Sequence, residues 1–294
     1  MSYAERLAGW LGRRAPLQLA LLDDRVVVRS AAGAAETLTA EAAATDAAAP
    51  APWRAPVARL GAWLAQTADA GRRPPALHLR LGAAHLRWQV LPWPAQIGSP
   101  AEFEAWARLR LRAVHGAVAD GWRLQCAPLR AGRPTVVCAV DDALLATLHA
   151  LPARLARIEP HFSAAHDRWQ HRLRRGSAWF AAVEPAHLTL ALLHDGQVQA
   201  LRSLRHHGGS RWAGALVAAQ AQLALAAGRE ADAALPVYLA GDDGSGRRLA
   251  QPGLLWLDAD ARTDASTDAS PHVSSAPPAA AAGGAALARL AAGF

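Results

Sequence analysis

The 294-residue sequence has no lysine, and all 31 of its basic residues are arginine. An amine forms Schiff bases and serves as a compact charge on phosphate, and a guanidinium does neither in its place. A Walker A phosphate loop, a protein-kinase site and a Schiff-base or pyridoxal enzyme are therefore excluded. Cysteine is nearly absent too, with only Cys126 and Cys138. That gives no disulfide framework and fits a reducing compartment. If 122–128 pairs with 134–140 through the turn at Gly132, Cys126 falls opposite Val136, and two reduced core thiols are expected. Long apolar runs are missing as well. The longest, Trp212 to Ala227, is broken by Gln220 and Gln222 and falls short of the ~20 residues that cross a bilayer. The first 14 residues carry Glu5, Arg6, Arg13 and Arg14 and no secretory apolar core, so a cytosolic chain is expected.

The net charge of +7 would ordinarily raise nucleic acid as a partner. The arginines are scattered, however, with the densest group at Arg168, Arg172, Arg174 and Arg175, and alanine, glycine and proline are over-used beside them. That combination points to GC-rich coding and a solvated surface instead of a nucleic-acid stripe. His161, His166 and His171 are five apart and spread around a helix, and no cluster has a metal-ligand spacing. Most tryptophans, such as Trp63, Trp106, Trp179 and Trp212, stand at apolar positions of expected elements and read as core.

The most ordered stretch is 178–205. An apolar strand to Val183, a turn at Glu184 and Pro185, a strand from His187 to Leu193, an Asp195-Gly196 turn and a third strand follow one another. Leu17 to Ser30 repeats this grammar, which suggests two related lobes. The first continues with a strand at Glu36 to Thr39, a helix with Val57, Leu60, Trp63 and Leu64 on one face, and strands at Ala76 to Leu81 and His85 to Leu91. Ser99 and Pro100 then cap and open a helix whose apolar positions are Phe103, Trp106, Leu109 and Val114. Two cysteine-bearing strands, a helix capped by Asp141 or Asp142, a strand and a helix with His166 and Trp169 complete an apparent insertion. After the second hairpin come a helix capped by Ser210 and strands at Pro236 to Ala240 and Gly253 to Leu257. The expected division is 1–94 first lobe, 95–176 inserted α+β subdomain and connecting helix, 177–258 second lobe, 259–284 mobile low-complexity segment and 285–294 terminal helix. Residues 2–13 are expected as a short amphipathic helix.

The order of these segments resembles the actin-like ATPase superfamily, an α/β class of duplicated ribonuclease H-like lobes. Within it, the chain is similar to the pilus assembly protein PilM and the cytoplasmic part of the secretion protein GspL. The resemblance rests on the LLD hairpin, SPAEFEAWARLRLRAV, PTVVCAVDDALLATL, the segment from Trp179 to Gly209, and VYLAG. It implies two phosphate turns and one adenosine turn. The first falls on Asp23 and Asp24, without glycine. The second falls on Glu184-Pro185-Ala186, where proline removes a donor and no glycine permits close approach. The third falls on Gly241, Asp242 and Gly244, where a carboxylate replaces a glycine. All three depart from the pattern, so weak or absent ATP binding, no turnover and no cofactor are expected.

What the resemblance implies instead is a non-catalytic cytoplasmic adaptor, peripheral to the inner membrane, in a type IV pilus or type II secretion platform. Its partner would be the N-terminal cytoplasmic tail of a PilN-like bitopic protein, with contact to the platform motor and none to nucleic acid. The groove between the first lobe and the insertion implies Trp88, Leu91, Trp93, Phe103 and Trp106 as partner-binding residues. An active actin-like ATPase and an arginine-driven nucleic-acid binder are the competing readings.

Overall fold

The computed structural model describes residues 16–29, 35–39, 51–67, 76–130, 132–206, 211–241 and 253–257. The helix expected at 2–13, the segments 259–284 and 285–294, Ser210, Asp242 and Gly244 lie outside the described residues. Three strands, Leu17–Leu21 (β1), Arg25–Arg29 (β2) and Ala35–Thr39 (β3), make an antiparallel meander. Helix Arg54–Thr67 (α1) returns the chain so that Ala76–Leu81 (β4) pairs parallel to β1. Val57, Leu60 and Leu64 of α1 are buried at helical spacing, and Trp63 packs at the edge of the same core.

After a 3-10 turn at Ala83–His85, strand Leu86–Leu91 (β5) leads to helix Pro100–His115 (α2). Ser99 caps α2 by accepting the Glu102 N–H, and Gly116 ends it with φ 76°. Strands Trp122–Cys126 (β6) and Thr135–Asp141 (β7) follow. Helix Asp142–His149 (α3) is capped by the Asp141 side chain, and strand Arg154–Pro160 (β8) leads into helix His161–Leu173 (α4).

The second hairpin set is Ser177–Val183 (β9), His187–His194 (β10) and Gln197–Arg205 (β11). Asp195 at φ 48° and Gly196 at φ 72° form the tight turn, both left-handed as the twist of a two-residue hairpin requires. β9 and β10 are buried along almost their whole length, which is why they read as continuous apolar runs. Helix Arg211–Ala226 (α5) and strands Val237–Gly241 (β12) and Leu254–Trp256 (β13) complete the described chain.

The two large sheets run β3-β2-β1-β4-β8 and β11-β10-β9-β12-β13. In each, three antiparallel strands are continued by two parallel ones, and a helix enters between the third and fourth. The chain is thus a duplicated ribonuclease H-like body of the actin type, with a three-stranded sheet β5-β7-β6 inserted in the first half. α2 covers one face of that sheet, Phe103, Ala107 and Leu111 meeting Leu91, Leu124, Val137 and Ala139. Val136, Cys138 and Val140 on the other face join the first-lobe core. β11 lies against β5 and closes the second lobe onto the insert.

Three expectations are corrected. β5 pairs in the insert sheet, and β8 pairs in the first-lobe sheet, so strand membership does not follow the cuts at 94/95 and 176/177. Cys126 stands opposite Val137. A one-residue slip would bring Leu124, on the α2 face, level with Cys138, which faces the first lobe; the observed register keeps each apolar face uniform. Leu109 and Val114 are 65% and 62% exposed. The buried row of α2 is Phe103, Ala107 and Leu111, an i, i+4, i+8 stripe that includes a small residue.

Candidate functional site

The two lobes meet where the β1–β2 turn, the exit of β4 and the β9–β10 turn converge. In the first turn the Leu22 N–H bonds the Arg25 carbonyl at 2.9 Å. Arg25 grips Asp24 with two bonds of 2.7 and 2.9 Å, and this guanidinium holds the Asp24 carboxyl below its ordinary range. Asp23 pairs across the lobes with Arg205 at 3.2 Å. At the β4 exit the Gly82 N–H bonds Leu21 O at 2.8 Å, and the Ala83 N–H donates to both carboxyl oxygens of Glu184 at 3.0 Å.

Glu184 is 3% exposed. Burial pushes its carboxyl up from an ordinary 4.5 to about 8; the Ala83 N–H opposes the shift and the Asp23 charge adds to it. The side chain therefore carries a proton at neutral pH. Its own N–H bonds the His187 carbonyl at 2.9 Å.

Three histidines line the same junction. His85 Nε2 sits 2.7 Å from Leu22 O, and because a carbonyl only accepts, that nitrogen carries the proton. His206 Nε2 likewise donates to Glu184 O at 2.9 Å. Burial lowers the His85 and His187 pKa values below the ordinary 6.5.

A phosphate turn works by aiming free backbone N–H groups at anionic oxygens. Here the N–H groups of Leu22, Gly82, Ala83 and Glu184 are all engaged within the protein. Gly82 comes close enough to the opposite lobe that a methyl there would stand 2.7 Å from Glu184 Oε2. Gly241, at φ 106°, packs so tightly on β9 that a methyl would strike the Val183 carbonyl. In place of free donors at these four positions, the described residues make an interlobe tie in which the Glu184 carboxyl takes the Ala83 amide. Among the described residues no group of three or more His, Cys, Asp or Glu is placed to hold a metal ion.

Of the residues expected at the nucleotide turns, Asp23, Asp24, Glu184 and Gly241 are thus brought to one junction. The sequence did not show Ala83, His85, His206 or Arg205 as their partners. The only signal was the repeated acid at hairpin turns.

The five residues expected to bind a partner gather differently. Leu91 and Phe103 are buried, Trp93 stacks on Phe103 at 5.0 Å and donates to Ile97 O at 3.0 Å, and Trp106 tilts against Phe103 at 5.5 Å. Four of the five form the insert core. Trp88 lies on the other face, edge-on to Phe162 at 5.7 Å. Beside this core an open cleft of about 720 Å³ is lined by Pro100, Ala101, Glu104 and Leu124 through Leu129.

No protein-family model and no curated protein sequence matches the chain. Among solved structures it is similar to a chain of a PilM–PilN type IV pilus biogenesis complex, at 16% identity and TM-score 0.51, over 83% of this chain and 88% of that one. It is also similar to the cytoplasmic domain of EpsL, an inner-membrane component of the type II secretion system of Vibrio cholerae, at 16% identity and TM-score 0.49, over 83% and 85%. A Bacteroides thetaiotaomicron protein with an actin-like ATPase fold matches at 10% identity and TM-score 0.46, over 79% and 83%. At these identities the likeness concerns the path of the backbone: the chain has the actin-like fold that its two matching sheets spell out.

Proposed function

We propose that this chain is a non-catalytic adaptor of a type IV pilus or type II secretion inner-membrane platform, working from the cytoplasmic face. It binds the N-terminal cytoplasmic tail of a PilN-like single-span protein and so connects the platform to its motor. The observation that carries this reading is the interlobe tie: Glu184 bonds the Ala83 amide where the fold would otherwise present donors to a nucleotide. With ATP and turnover set aside, binding energy alone is the mechanism.

The shared fold with a chain of the PilM–PilN complex supports the choice of platform and partner. No described helix is long and apolar enough to cross a membrane. Arg25, Arg80, Arg108, Arg112, Arg123, Arg157, Arg205 and Arg229 each face a carboxylate, which speaks against a nucleic-acid surface. Purification of the tagged chain from its native membrane tests the reading. A single-span protein with a cytoplasmic N-terminal tail is expected to accompany it, released by excess synthetic tail peptide. Recovery without such a protein, or release of phosphate from ATP, contradicts it.

A further inference from the structure

β6 is an outer strand, bonded to β7 on one side. The Ala127 N–H reaches the Val136 carbonyl across that side at 2.8 Å. Strand residues alternate in direction, so the N–H and C=O of Leu124 and Cys126 point away from β7, and no described backbone group takes them up. An uncovered edge is a template for another strand.

The cleft beside the insert core runs along this edge. The first turns of α2, with Pro100, Ala101 and Glu104, overhang it on one face. Gln125 turns to the opposite face, level with Cys138, and its Oε1 is buried with no hydrogen-bond donor among the described residues. A buried acceptor without a donor is costly unless something supplies one. The charged group of the lining, the Glu104 carboxylate, is also an acceptor, half-exposed and paired with Arg108 at 2.9 Å. Two β6 edges paired with each other would bring the same acceptors to the junction, so the edge fits a strand that carries donors instead.

We propose that the β6 edge binds an extended peptide of a partner protein as an added strand. Backbone bonds go to Leu124 and Cys126, apolar side chains lie beneath Pro100 and Ala101, and Lys, Arg or amide donors on opposite faces of the added strand reach Glu104 on the α2 side and Gln125 on the other. The proposal rests on the adaptor reading and gives the binding mode of the tail.

Cys126→Pro removes the outward N–H and spares the β7 ladder, to which that N–H does not contribute. Gln125→Leu removes the orphan acceptor and keeps the test alive should the proline variant fold poorly. The full chain is titrated with a synthetic peptide of the cytoplasmic tail of the co-purifying single-span protein, and amide hydrogen exchange is followed. Protection is expected to appear at Leu124 and Cys126 on binding, with affinity about tenfold weaker in either variant at unchanged circular dichroism. Wild-type-like binding by both variants, without protection of those amides, overturns strand addition and leaves the adaptor reading standing. No binding by the wild-type chain overturns both. Protection that grows with protein concentration in the absence of peptide makes a second copy the occupant and overturns the proposed partner.

Discussion

Glu184 combines a buried carboxyl, a raised pKa of about 8 and a single backbone donor from the opposite lobe. Between its ordinary 4.5 and about 8 the unfolded chain releases this proton while the folded chain keeps it, so folding stability falls as pH rises. His85 and His187 act in the other sense. Their folded pKa values lie below the ordinary 6.5, so stability rises as pH approaches 6.5 from below, and they are silent above it. The window from 6.5 to about 8 therefore isolates Glu184. Urea titrations across it are expected to lose about 2 kcal/mol in the wild type, and Glu184→Gln is expected to flatten the slope. An unchanged slope in the variant contradicts the assignment. The Asp23–Arg205 pair crosses the same junction, but Arg205 is 73% exposed. A double-mutant cycle should give a coupling below about 1 kcal/mol, the scale of a solvated ion pair. A larger coupling would make that pair, and not Glu184, the main tie.

At the level of elements, α2 shows how burial selects one stripe from several possible ones. Leu111→Ala is expected to cost about 2–5 kcal/mol by opening a cavity under the insert sheet. Leu109→Ala, on the exposed side, should stay within about 0.5 kcal/mol. Reversed effects in thermal or chemical unfolding would mean that the helix is turned the other way. Most elements were legible in the sequence because their signals are local: the Asp195-Gly196 turn, the Ser99-Pro100 cap, the paired apolar runs of β9 and β10. The phase of α2 was not, because Ala107 contributes to the buried row without looking hydrophobic enough to mark it. Nor was the membership of β5 and β8, since strand partners are chosen by tertiary pairing across many intervening residues. The site divided in the same way. Glu184-Pro185 could be seen to depart from a phosphate turn, but the Ala83 amide that it holds lies 101 residues away.

For the molecule as a whole, two matching five-stranded sheets and an insert make an actin-type body whose lobes are tied by the Glu184 carboxyl on the Ala83 amide. The edge of β6 lies outside that junction, in the inserted sheet. The account stands or falls on whether nucleotide still enters between the lobes. Thermal unfolding of the full chain with and without millimolar Mg-ATP measures this directly, because a ligand that binds only the folded state raises Tm in proportion to its occupancy. The interlobe tie predicts a shift of less than about 1 °C, unchanged in Glu184→Gln. A saturable rise of several degrees would contradict it.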